Sequence, residues 1–199
     1  MNMVKKGIAK VVFDIETANI FDDVSGNDPA KLDISIVGIY DSLTDTYNSY
    51  TVSEFGKLWP IIERADMLIG YNSDHFDIPL LNKYYPGDLT AIKSLDLLVE
   101  IRNSLGRRLR LDTVAEATLG INKSGHGLEA VQWWKEGKED LVRKYCLDDV
   151  RITKDVYEYA LKNKEVSYKD FGDIKKIKLN SKDWEKIAEP AALTHTLPF

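Results

Sequence analysis

The sequence predicts an α/β fold organised around a mixed β-sheet. Three observations predict it. Runs rich in β-branched and aromatic residues at 9–17 (AKVVFDIET), 32–40 (LDISIVGIY) and 45–52 (DTYNSYTV) stand close together, as three consecutive strands do. Two short apolar runs, 67–71 (MLIGY) and 92–98 (IKSLDLL), read as buried strands, and each leads into helical sequence. Residues 141–159 place Val142, Tyr145, Asp149, Ile152 and Val156 at helical spacing, the pattern of a long helix with one buried face.

Composition sets the frame for these elements. With 199 residues, 44% hydrophobic and 30% charged, the chain suits one compact domain with a short extension. We expect the domain at 1–164 and the extension at 165–199. The net charge of −5 argues against a generic basic nucleic-acid coat. Two bound divalent cations would leave it near −1, so a polyanionic substrate stays open. The single cysteine, Cys146, excludes a disulfide framework and a thiolate zinc site, and fits a reducing compartment. The first residues are too polar for a signal peptide, and no apolar run reaches membrane-spanning length. The expectation is a cytoplasmic protein with no membrane partner.

Along the chain, acids stand where apolar residues belong. In the first strand Val11, Phe13 and Ile15 share one face, and Val12, Asp14 and Glu16 the other, with the two carboxylates within about 7 Å. The second and third strands read as antiparallel, joined around DSLTD, and three strands, the first carrying the acids, open a mixed sheet. Residues 21–31 read as a loop. Ser53 is expected to cap a short helix through Leu58, and Pro60 to begin another turn ending near Arg64. After residues 67–71 come Asn72, Ser73, Asp74, His75, Phe76 and Asp77, then a helix expected from Pro79 with Leu80 and Leu81 inward. A strand end that carries polar groups into a helix start is where open α/β sheets bind ligands. Asp74 is expected as a cap and His75 as exposed.

The basic cluster Arg102, Arg107, Arg108 and Arg110 follows, suited either to gripping phosphates or to a solvated surface. A helix is expected over 111–119, ended by Gly120, then a polar loop at 123–127 containing His126, and a helix over 128–136 in which Trp133 and Trp134 pack. In the last helix Asp149 interrupts an apolar stripe one turn after Tyr145. Four carboxylates, Asp14, Glu16, Asp77 and Asp149, would repel one another if brought together, and divalent cations are the economical remedy. All-oxygen ligands favour Mg²⁺ or Mn²⁺ over zinc.

The segments F-D-I-E-T (13–17), N-x-x-x-F-D (72–77) and Y-x-x-x-D (145–149) resemble, in order and spacing, the three motifs of the DEDD 3′–5′ exonucleases in their tyrosine subclass. In the histidine subclass the base stands five residues before the last aspartate, where this chain has Lys144. The stretch LDTVAEATLGINKSG is similar to the proofreading exonuclease domain of family B DNA polymerases. The resemblance covers about residues 9–162. It implies a ribonuclease H-like fold, a five-stranded mixed sheet of three antiparallel and two parallel strands flanked by helices. It also implies phosphodiester hydrolysis with two cations, Asp14, Glu16 and Asp149 holding the first, Asp14 bridging to the second and Asp77 supporting it through water. Tyr145 is then a positioner of the attacking water. Asp148, next to Asp149, lacks the helical-turn relation to Tyr145.

Candidate substrate contacts are Ile15, Thr17, Asn72 and Phe76 in the first two motifs, with Arg107 and Arg108. The expected partner is the 3′ end of a single strand, DNA in preference to RNA. A polymerase or sliding clamp is a further candidate, since Leu197, Pro198 and Phe199 faintly resemble a clamp-docking peptide without its glutamine. An exoribonuclease on the same site, and a non-catalytic nucleic-acid-binding module of this fold, are the alternatives. Alternation at 174–179 suggests a strand or an extended tail laid on the domain.

Overall fold

The computed structural model of the chain describes residues 7–121 and 127–187. The loop at 123–126 with His126, and the terminal Leu197–Phe199 peptide, lie outside the described residues.

The sheet has the expected composition. Strand β1 (Lys10–Thr17) is central, antiparallel to β2 (Ile34–Asp41) on one side and parallel to β4 (Met67–Gly70) on the other. Strand β3 (Thr46–Tyr50) lies antiparallel outside β2, and β5 (Lys93–Asp96) parallel outside β4, giving the order β3-β2-β1-β4-β5. Side-chain alternation along β1 splits the core as the sequence suggests. Val11, Phe13 and Ile15 pack with Leu58 and Ile62 of α1 (Phe55–Glu63) and Leu80 and Leu81 of α2 (Asp77–Asn82). Val12 faces the opposite layer, with Ile101 of α3 (Leu97–Leu105), Val114 of α4 (Leu111–Leu119) and Val150 and Val156 of α6 (Glu139–Asn163). Helix α5 (Gly127–Lys135) supplies Ala130 to a third cluster with Ile36, Val142, Tyr145 and Cys146. Asp14 and Glu16 therefore point into the layer that α6 occupies.

Four local expectations change. Residues 55–63 form one helix with the exposed Pro60 inside it; its cap position is Glu54 rather than Ser53, and Glu54 instead closes the capping box of the preceding 3-10 turn, Val52–Glu54, by accepting the Thr51 N–H at 3.1 Å. Strand β5 stops at Asp96, because that carboxylate accepts the N–H groups of Leu98 and Val99 and starts α3 there. Helix α2 begins at Asp77 rather than Pro79. Asp74 does not cap it and instead accepts a hydrogen bond from the Ser94 hydroxyl.

Past Lys164 the chain forms an antiparallel hairpin, β6 (Glu165–Asp170) with β7 (Asp173–Lys178). Val166, Tyr168, Ile177, Leu179 and Trp184 join the same core cluster as Val12. Glu185 accepts from Lys10 at 2.5 Å and from the Tyr157 hydroxyl at 2.7 Å, tying this segment to β1 and α6. Among the described residues no helix is long and apolar enough to cross a membrane.

Candidate active site

Strand β1 outruns its parallel neighbour. Its pairing with β4 ends at Val12–Ile69, while its pairing with β2 continues to Thr17. The acidic end of β1 is thus supported by β2 and open along its other edge. Opposite Asp14 on β2 stands Gly38, and α6 crosses there. A Cβ at Gly38 would lie 2.8 Å from Cys146 Sγ and 3.1 Å from Val150 Cγ2. The missing side chain is what lets α6 lie this close to the sheet. Cys146 is fully buried, and its thiol donates to the Asp14 carbonyl at 3.3 Å. Burial pushes that thiol up, and the neighbouring Asp14, Glu16 and Asp149 carboxylates push it further.

The close crossing brings the predicted acids together. Ligand atoms of Asp14, Glu16 and Asp149 all lie within 4.8 Å of one another, with Glu16 and Asp149 buried and Asp14 half-buried. Three carboxylates at that separation offer a hard, all-oxygen donor set that fits Mg²⁺ or Mn²⁺ and no soft metal. Tyr145, one turn before Asp149, is buried, and its ring meets Trp133 of α5 edge-on at 6.0 Å. Asp148 is ion-paired to Arg151 at 2.8 Å and is absent from the cavity lining described below.

The fourth acid comes from the turn after β4. Asn72 adopts a left-handed backbone, φ 67°, which asparagine tolerates better than most residues. A single carboxylate stabilises this turn. Asp96 accepts the N–H of Asn72 at 2.8 Å and of Asp74 at 3.1 Å, besides those of Leu98 and Val99. The turn delivers Asp77, buried, against the open edge of β1, where the Ile15 N–H hydrogen-bonds its carboxylate. Burial, and secondarily the Asp96 charge, push Asp77 up to about 7, against the pull of those N–H bonds.

All five residues line one cavity of about 720 Å³, shared with Ile15, Thr17, Asn72 and Phe76 from the predicted set. Ile20, Phe21, Leu128 and Val131 make it apolar on part of its wall, with Phe21 and Phe76 in edge contact at 6.2 Å. The arginines diverge. Arg110 lines the cavity, Arg108 donates to the Asn72 side chain, and Arg107 turns to the hairpin, pairing with Asp170 at 3.1 Å over the Tyr168 ring. Sequence reasoning missed Gly38, Asp96 and the Phe21 wall. A glycine inside a strand and an aspartate before a helical run were signals for the first two.

The family comparison matches residues 11–161, all three motifs included, to the RNase H superfamily. The chain belongs to that superfamily. This RNase H-like chain therefore carries a nuclease fold, and the acidic triad of Asp14, Glu16 and Asp149 lies within the matched residues. No curated protein matches it. Among solved structures it is similar to the family B DNA polymerase of the hyperthermophilic archaeon Pyrobaculum calidifontis, with a TM-score of 0.59 and 19% identity. The match covers 81% of this chain and 25% of that polymerase, a likeness of fold.

Proposed function

We propose that the chain is a 3′–5′ exonuclease that hydrolyses the terminal phosphodiester bonds of single-stranded DNA. The observation that carries this reading is the convergence of Asp14, Glu16 and Asp149 with Asp77 and Tyr145 in one cavity that also has an apolar wall. Its volume lies in the usual range of small-ligand sites, about 300–1,000 Å³. The three motifs that resemble tyrosine-type DEDD exonucleases supply the polarity.

Asp14, Glu16 and Asp149 would hold one divalent cation, and Asp14 with Asp77 a second. Bound there, Mg²⁺ or Mn²⁺ would lower the pKa of the attacking water and neutralise charge on the phosphoryl and leaving oxygens. The chain's own residues do the rest. Asp77, whose hold on its proton is raised by burial first and by the Asp96 charge second, would be a ligand in its deprotonated form, so cation binding there would release that proton. The Tyr145 phenol, fixed by Trp133, orients the attacking water. Phe21 and Phe76 offer aromatic surface to the terminal base, and Arg110 a charge for phosphate. The same reading places the enzyme in repair or proofreading, acting on ends presented by a DNA polymerase or sliding clamp.

The test is digestion of end-labelled single-stranded DNA and RNA of matched sequence with Mg²⁺, Mn²⁺ or EDTA, beside Asp14→Ala. Stepwise loss from the 3′ end of DNA, stopped by EDTA and by the substitution, is the expected outcome. Faster loss from RNA would reassign the substrate, and cation binding without cleavage of either polymer would reassign the chain as a binding module.

A further inference from the structure

The β6–β7 hairpin closes through the two residues Phe171 and Gly172, both left-handed, with φ 49° and 96°. Such primed two-residue turns favour Asn-Gly, because the first position needs positive φ and a bulky residue there is strained. Phe171 stands in that position with its side chain fully exposed, 102% of its reference area. The choice costs stability twice, in backbone conformation and in hydrated aromatic surface. Ile174, exposed and paired across the hairpin with the exposed Lys169, extends the apolar tip.

The tip is linked to the cavity by cations in series. Arg110 lines the cavity, and Arg108 is bound to the cavity residue Asn72. Arg107 lies over Tyr168 and pairs with Asp170, the residue before Phe171, which Lys175 also binds at 2.6 Å. Arg110 pairs with Asp112 at 2.9 Å, and Arg107 and Lys175 share Asp170, so this arc sets four cations, Arg108 among them, against two carboxylates and leaves net positive charge between the site and the exposed ring. Backbone-tracking cations followed by an aromatic platform is the arrangement that binds single-stranded nucleic acid without reading its sequence.

We propose that this arc and the hairpin tip form a track for the strand whose 3′ end occupies the cavity, with Phe171 stacking on a base several nucleotides upstream. The proposal rests on the exonuclease reading and adds a second point of contact to it. Phe171→Asn separates function from folding, because asparagine suits the turn and removes the ring. It should raise Tm by about 2 °C. In EDTA it should weaken binding of a strand of about 10 nucleotides by about 5-fold or more, and shrink the kcat/KM advantage of that strand over a dinucleotide by a similar factor. Phe171→Trp should keep both. A Phe171→Asn protein that binds the long strand like the wild type, with the same advantage over a dinucleotide, overturns the track and leaves the exonuclease reading intact. A wild-type protein that neither binds nor cleaves DNA or RNA overturns both.

Discussion

Gly38 is the position at which one methyl group should disable a site it does not touch. In Gly38→Ala the new Cβ would meet Cys146 Sγ at 2.8 Å, Val150 Cγ2 at 3.1 Å and the Cys146 carbonyl carbon at 3.4 Å. Comfortable contact is about 3.5–4.0 Å, so relief needs roughly 0.7–1.2 Å of movement where Cys146 faces the sheet. The two most crowded atoms belong to fully buried side chains of α6 with little room to turn, so the helix itself must give. Tyr145 and Asp149 flank that point on α6, whereas Asp14 and Glu16 stay on β1. Overpacking of this kind costs about 1–3 kcal/mol, which lowers Tm by about 2–12 °C for a chain this size. A displacement near 1 Å of groups that must act together costs up to about 10²-fold in rate. The assay is kcat on labelled single-stranded DNA beside a thermal melt, for Gly38→Ala, Cys146→Ala and the double variant. Removing Sγ takes away the shortest contact, so the double variant should regain much of the lost Tm and part of the lost rate. Wild-type rate and Tm in Gly38→Ala, or a double variant no better than the single one, would refute the reasoning.

Three further outcomes follow from the same geometry. Tyr145→Phe keeps the packing on Trp133 and loses the hydroxyl, so kcat should fall by about 10²-fold with KM nearly unchanged; an equal loss in binding would show that the phenol holds substrate instead. In EDTA the protein should lose stability as pH rises. Asp77 moves from 3.8 unfolded to about 7 folded, so its contribution is full below pH 3.8, declines through the interval and is gone above 7, about 4 kcal/mol in all. Melts at pH 5 and pH 8 should capture about 3 kcal/mol of it, and Asp77→Asn should flatten the difference. Asp96→Ala should cost about 3 kcal/mol, because four backbone N–H groups lose one shared acceptor, and chemical denaturation reads it.

What the sequence disclosed follows from which forces are local. The period-two pattern of residues 11–16 and the stripe from Val142 to Val156 survive in the structure because each element buries one face, and burial is written in spacing. Asp14, Glu16, Asp77 and Asp149 were legible as violations of that same spacing, and the structure sets them in one cavity. The hairpin turn was hidden because Phe-Gly is a poor sequence for it. Pro60 suggested a new helical turn, yet lies exposed within a helix that runs on to Glu63. The role of Gly38 depends on which helix crosses β2, that of Asp96 on which turn lies above β5, and the divergence of Arg107, Arg108 and Arg110 on partners far along the chain. Those are tertiary facts, and no window of sequence contains them.

The central claim is that this cavity cuts at a free 3′ end. It is tested most directly by offering the enzyme, with Mg²⁺, a single-stranded DNA circle beside the linear form of the same sequence, free or blocked at its 3′ end. The account predicts stepwise shortening of the free linear strand alone, with the circle and the blocked strand intact. Opening of the circle would contradict it, and would make the same acidic cluster the centre of an endonuclease.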